Sequence, residues 1–259
     1  MWRIRLDTTT RRLAVEVRDP DLLLAHFYTF DIAELDMRQL PLQQSQAWWQ
    51  GLEDAHAGYI YLHGYGDRKL GQHKGITAVE AATAEIAWEE TELAYYGLAL
   101  HGLLAYTAAT PEAPFQLLQL GTGEQLQTGI PQQKAAEAVA QYYPVRYSQA
   151  VYPNLYREGE EYFGQVRQFL EAQHMAGATQ AIEYAETATA LVVSYYVRAA
   201  DNTLQNVLAV FDTEGKLRLK EQLAGGLSGI GSDTFFIFMD GLYFVRDRAI
   251  LEVYRLLAS

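Results

Sequence analysis

Apolar and polar residues alternate with a period of two along most of the readable chain. In Tyr59-Ile60-Tyr61-Leu62-His63 the tyrosines and His63 fall on one face of an extended segment, with Ile60 and Leu62 on the other. Residues 13–17, 190–197, 206–211 and 234–239 show similar runs, rich in the β-branched and aromatic side chains that fit a pleated surface. Short turn signals separate such runs: Ala57-Gly58 ahead of Tyr59, His101-Gly102 between 95–100 and 103–106, and Asp240-Gly241 between 235–239 and 242–245. Consecutive strands joined this tightly predict antiparallel meanders.

A repeat runs through the pattern. Residues 75–88 align with 115–126, Thr83 falling on Thr122, and 122 − 83 = 39. Residues 207–217, with Asp212-Thr213-Glu214-Gly215, form a shortened third copy, and residues 26–37, with Phe30-Asp31, a fainter fourth. A period of ~40 matches four short strands per propeller blade, and about five such blades fit the length. The fold class expected is all-β and propeller-like, with about five blades of four-stranded antiparallel meanders, as a single domain over residues 1–259.

One stretch, about 129–175, breaks the pattern and is expected as a short helical insertion. Residues 131–140 have helix-forming composition behind Pro131, and Tyr162, Val166, Phe169 and Leu170 recur at helical spacing within 160–173. The second segment is expected to pack an amphipathic helix on the sheet.

The repeat copies resemble the quinoprotein-type propeller blade, whose consensus reads apolar strand, Asp, Ala-Ala-Thr-Gly, then a strand with Trp. Ala84 stands here for the glycine of one copy, and Glu80 and Gln119 for the aspartate. Only Asp31 and Asp212 keep that aspartate, so no cofactor is expected. The stretch from Trp48-Trp49-Gln50-Gly51 through His63-Gly64-Tyr65-Gly66-Asp67 to His73-Lys74-Gly75 is similar to the signature of an uncharacterised bacterial family known only as a domain of unknown function. The likeness extends to Ser194-Tyr195-Tyr196 and Gly231-Ser232-Asp233-Thr234. It implies a cytoplasmic, propeller-like protein and no particular reaction. Members of that family carry a further β segment ahead of the strand matching Trp2-Arg3-Ile4, so the first blade is expected to lack a strand, leaving open how residues 2–6 pair with 250–256.

Composition narrows the function classes. Twenty basic against 32 acidic residues give a net charge of −12, without the basic stripe that nucleic-acid binding needs, and anionic membrane surfaces are disfavoured equally. The absence of cysteine removes disulfides, thiolate metal sites and cysteine nucleophiles. No run is apolar and long enough for a secretory signal or a membrane span, which makes the cytoplasm the expected location.

The candidate chemistry gathers in one segment. His56, His63, Asp67 and His73 lie within eighteen residues, flanked by Trp48, Trp49, Glu53 and Tyr65. Imidazoles with a carboxylate suit zinc or iron, although the spacing matches no named metal motif and strand-end histidines also serve as hydrogen-bonded structural residues. The loop Gly64-Tyr65-Gly66-Asp67-Arg68-Lys69 makes the segment the candidate ligand site, the alternative for Trp48 and Trp49 being to pack between blades, one each way. Doublets such as Glu53-Asp54 are expected to face opposite ways on a strand. Gly226-Leu227-Ser228-Gly229 lacks the spacing of a nucleophile elbow. Tyr95-Tyr96, Tyr142-Tyr143 and Tyr195-Tyr196 read as strand aromatics at blade interfaces or as a partner-binding face. Two functions remain: a noncatalytic module binding a protein or small ligand at one end of the propeller, or a metal-assisted hydrolase or lyase using His56, His63, Asp67 and His73. The second requires at least two of these histidines to converge.

Overall fold

The computed structural model describes residues 3–42, 48–67, 71–110 and 112–256, the side chain of Asp67 excepted. The chain separates into two compact units, Met1–Ser148 and Gln149–Ser259.

Three antiparallel meanders build the first unit. Strands β1 (Arg3–Asp7), β2 (Arg12–Asp19), β3 (Leu24–Asp31) and β4 (Asp36–Gln39) form the first sheet in chain order. Strands β5 (Gly51–His56), β6 (Tyr59–Asp67), β7 (Gln72–Glu80) and β8 (Ile86–Glu90) form the second. The third holds β9 (Leu93–Ala99), β10 (Gly102–Thr107), β11 (Phe115–Leu118) and β12 (Gln125–Ile130). Both faces of the second sheet are buried. Leu52, Ile60, Leu62 and Val79 pack with Ala14, Ala25 and Phe27 of the first sheet, while Tyr61, Ile76, Ala78 and Trp88 pack with Leu98, Leu103 and Leu118 of the third. The alternation of Tyr59 to His63 therefore feeds two cores. Helix α1 (Gln132–Arg146) buries Ala135 against Leu104 and Phe115 of the third sheet. It runs past residue 140 to Arg146, so Tyr142-Tyr143 sits on a helix and is not a strand pair.

The first sheet holds four strands. β1 pairs with β2 from Arg3↔Glu16 to Asp7↔Arg12, which corrects the expectation of a missing strand.

The repeat is visible as hydrogen bonding. Between β7 and β8, Glu80 N donates to Glu85 O at 2.8 Å and Ala84 N to Glu80 O at 2.8 Å, while Thr83 Oγ1 donates to Glu80 Oε2 at 2.8 Å. Between β11 and β12, Gln119 N donates to Glu124 O at 2.8 Å, Gly123 N to Gln119 O at 3.0 Å, and Thr122 Oγ1 to Gln119 Oε1 at 2.8 Å. Glutamate and glutamine each offer the one acceptor this turn needs. The third copy closes one residue sooner, Asp212 N donating to Lys216 O at 3.0 Å.

In the second unit, β13 (Ala150–Val151) and β14 (Asn154–Arg157) precede helix α2 (Glu161–Ala172), followed by β15 (Ala178–Glu186), β16 (Ala190–Arg198), β17 (Leu204–Asp212), β18 (Leu217–Leu227), β19 (Phe235–Phe238), β20 (Gly241–Arg246) and β21 (Ile250–Arg255). One sheet has the order β14-β15-β16-β17-β18, the other β13-β19-β20-β21. The helical insertion thus also supplies the first strand of each sheet. Helix α2 packs Phe163 and Leu170 against Ile182, Val193 and Phe211, with Val166 and Phe169 alongside. Tyr162 is exposed, its ring stacked on Tyr156 at 5.3 Å. No helix among the described residues is long and apolar enough to cross a membrane.

Candidate functional site

Strand β5 is an edge strand of the second sheet, and side chains of the first sheet satisfy its free backbone. Arg3 donates to Leu52 O, Arg5 Nε to Glu53 O at 2.7 Å, and the buried Glu16 accepts from Leu52 N at 2.9 Å. The second unit uses the same device: buried Glu183 accepts from the backbone of Asp233 and Thr234, where the chain enters β19. Burial raises the Glu183 pKa, and these donors partly offset that.

Two β-bulges then shape the site. In the β5–β6 pairing Leu52 lies opposite Leu62 and Asp54 opposite Tyr61, leaving Glu53 as an extra residue. Asp54 is thereby turned onto the face that carries Tyr61, His63 and Glu53, so the Glu53-Asp54 doublet shares a face, contrary to the strand expectation. In the β6–β7 pairing His63 lies opposite Ile76 but Gly64 opposite Lys74 and Tyr65 opposite His73, the extra residue being Gly75 at φ +86°. Plain alternation from Ile76 puts His73 on the opposite face. A bulge residue in the left-handed conformation, which glycine adopts without steric cost, brings it back to the side of His63.

The result is a compact cluster on β5, β6 and β7. Glu53 Oε1 lies 2.9 Å from His63 Nδ1 and 2.7 Å from His73 Nδ1. The two imidazoles stack with centroids 3.5 Å apart and an interplanar angle of 11°. Tyr65 meets both edge-on, at 5.1 and 5.7 Å, and Trp49 meets Tyr65 edge-on at 6.3 Å. His63 is 2% exposed and neither ring nitrogen makes a well-aligned hydrogen bond, whereas the His73 side chain is 37% exposed. Burial pushes Glu53 upward, but the two histidines more than reverse this and hold it below the usual carboxylate range. Burial likewise pulls His63 below its ordinary value. An ionised carboxylate thus faces an uncharged buried imidazole.

Gly51 makes room for this ring. A Cβ there would lie 2.6 Å from His63 Nε2. Gly51→Ala is therefore expected to displace His63 and destabilise the protein by about 1–3 kcal/mol, the range for overpacking a core. Urea unfolding measures this, and an unchanged midpoint contradicts the packing described.

His56 belongs to a second cluster. Its Nε2 meets Tyr142 Oη of α1 at 2.9 Å, and its Nδ1 is 4.0 Å from Asp7 Oδ1. Arg146, one turn along the helix, donates Nη1 to Asp54 Oδ2 at 2.8 Å and Nη2 to Asp54 Oδ1 at 2.6 Å, and also reaches Ala55 O at 2.9 Å. Tyr95 Oη donates to Asp54 Oδ2 at 2.7 Å. Burial, then Arg146, lower the His56 pKa, keeping the ring neutral. These contacts dock α1 onto β5.

The predicted residues therefore divide. Glu53, His63, Tyr65 and His73 come together with Trp49 at the rim. Trp48 turns towards the first sheet, packing beside Leu40 and Leu52 with Arg18 over its ring at 5.1 Å. His56 lies in the helix-docking network, and the Asp67 side chain, with Arg68 and Lys69, is outside the described residues. Among the described residues, Glu53, His63 and His73 are the group of three ligand-type side chains whose donor atoms lie within 4.8 Å of one another. The pairing of Asp54 with Tyr95 and with Arg146 carried no sequence signal, because the partners are 41 and 92 residues apart.

Fold and site define a mostly β protein of antiparallel meanders, four of them four-stranded, with a glutamate–dihistidine cluster on one of them. A family model described as Domain of unknown function (DUF4905) matches residues 6–88, which hold that whole cluster. No curated protein matches the sequence. Among solved structures, the β-propeller domain of the trilobed protease from Pyrococcus furiosus is similar at 10% identity, over 99% of this chain and 71% of that one, with a TM-score of 0.33. The endo-arabinase from Bacteroides thetaiotaomicron is similar at 12% identity, over 99% and 93%, with a TM-score of 0.27.

Proposed function

We propose that this chain is a binding module of propeller type whose ligand seat is the corner of the second sheet formed by Glu53, His63, Tyr65 and His73, with Trp49 at the rim. One observation carries the reading: His63 is almost wholly buried, and its Nδ1 has only a poorly aligned contact to Glu53 Oε1 at 2.9 Å, beside a histidine and a tyrosine that are partly open to solvent. A buried polar group without a partner costs about 1–3 kcal/mol, a cost that an incoming ligand removes. The net charge of −12 supports a small ligand or a protein over a nucleic acid. A metal-assisted hydrolase or lyase is the rival reading, and the convergence of His63 and His73 on one carboxylate favours it; among the described residues no second carboxylate joins that corner.

Thermal-shift measurement on chelator-treated protein against metabolites tests the module. A ligand at ~100 times its dissociation constant adds ~2.7 kcal/mol. The expected result is a stabilising compound whose effect Tyr65→Ala abolishes. A shift that survives in Tyr65→Ala places the seat elsewhere.

A further inference from the structure

We propose that Glu53, His63 and His73 form a three-ligand site for a divalent transition-metal ion of the zinc class, bound through Glu53 Oε1 and the Nδ1 atoms of both histidines. The inference rests on the ligand seat just described and names what occupies it.

Three features of the geometry point to a cation. The donors come from three neighbouring strands, β5, β6 and β7, so the ladder holds their backbones in place with no loop involved. All three donor atoms converge, two nitrogens on one oxygen at 2.7 and 2.9 Å. Ligands around tetrahedral zinc with bonds of ~2.0–2.1 Å sit ~3.3 Å apart, so the carboxylate oxygen must move about half an ångström from the nitrogens, and the stacked rings must tilt out of their 11° alignment to aim both Nδ1 lone pairs at one ion. Third, the buried His63 is aimed into the cluster without an aligned hydrogen bond. Its Nε2 is packed over Gly51, so Nδ1 is the atom left to coordinate.

The donor chemistry selects the metal. Two imidazoles and one carboxylate suit zinc, cobalt or iron(II), whereas calcium and magnesium take oxygen ligands. Three protein ligands leave a coordination position open, on the side where His73 meets solvent. Arg3 Nη1 lies 3.9 Å from Glu53 Oε2, the oxygen not facing the histidines, and helps orient the carboxylate.

The experiment is calorimetric titration of the chelator-treated 259-residue chain with zinc chloride, alongside cobalt(II) absorbance in the visible region. One ion per chain and cobalt bands typical of low coordination are expected. Glu53→Gln and His73→Ala are expected to weaken binding by more than the ~10–100-fold that a merely supporting residue costs. His101→Ala, in the exposed β9–β10 turn, should leave affinity unchanged. His73 is partly exposed, so its alanine variant is the one to check first for unchanged unfolding. Wild-type affinity no tighter than that of His73→Ala, or loss on His101→Ala alone, overturns the metal site. If zinc fails while a compound's stabilisation is lost in Tyr65→Ala, the metal assignment falls and the binding module stands; if both fail, both fall.

Discussion

Replacing Arg146 with alanine should destabilise the protein by about 3–5 kcal/mol, the cost of leaving a buried charge without its partner. The Arg146 side chain is 6% exposed and that of Asp54 13%, and the guanidinium makes both bonds of a fork to this carboxylate plus one to Ala55 O. Alanine leaves Asp54 with Tyr95 and its own neighbouring amide at Ala55 as donors. It also removes a cation from the last turn of α1, where the helix dipole favours one. The double variant Asp54→Asn/Arg146→Met removes both charges and should recover most of the loss, because the penalty comes from isolating one charge. Urea denaturation of the four proteins in this cycle gives the coupling directly. Additive single effects, with no recovery in the double variant, contradict the account.

Acid should unfold the wild type through Asp7, and Asp7→Asn should flatten that part of the profile. Asp7 is 2% exposed at the end of β1, where the chain turns into β2. Its carboxylate accepts from Thr9 N at 3.0 Å, Thr9 Oγ1 at 2.6 Å, Thr10 Oγ1 at 2.6 Å and Gly58 N at 2.7 Å, the last tying the first sheet to the β5–β6 turn. Burial alone would raise its pKa, but the threonine and Gly58 donors outweigh that and lower it. A carboxyl whose folded pKa lies below its unfolded value of ~3.9 contributes stability that is complete above that value and lost as pH falls through the folded one. At pH 7 the asparagine variant should be less stable by about 1.5–3 kcal/mol, the range for hydrogen bonds to a charged group. The gap should close as pH falls below about 4. A constant difference from pH 7 to the acid limb contradicts this assignment.

Much of the fold was legible because it depends on neighbours along the chain. Alternation placed β2, β6, β16, β17 and β19, and the Thr83 and Thr122 turns share hydrogen bonds that depend on a threonine three residues after an acceptor side chain. Strands of two and four residues, such as β13 and β14, are too short to show any period. Helix α2 was placed correctly, with Val166, Phe169 and Leu170 on its packed side, but Phe163 takes the place expected of Tyr162, since both are aromatic and only the sheet chooses between them.

Residue types near residues 48–73 were enough to single out His63, His73, Glu53 and Tyr65 as candidates, and the structure shows that these four side chains cluster. What they left open was which of them face one another, and tertiary structure decided that through one inserted residue in each of two strand pairings. A bulge inverts the facing of everything beyond it, so His73 joins His63 only because Gly75 is unpaired, and Asp54 turns to meet Arg146 only because Glu53 is. Alternation is a property of one strand and can be read from it. Register belongs to two strands at once, and the contacts that set it lie outside either one.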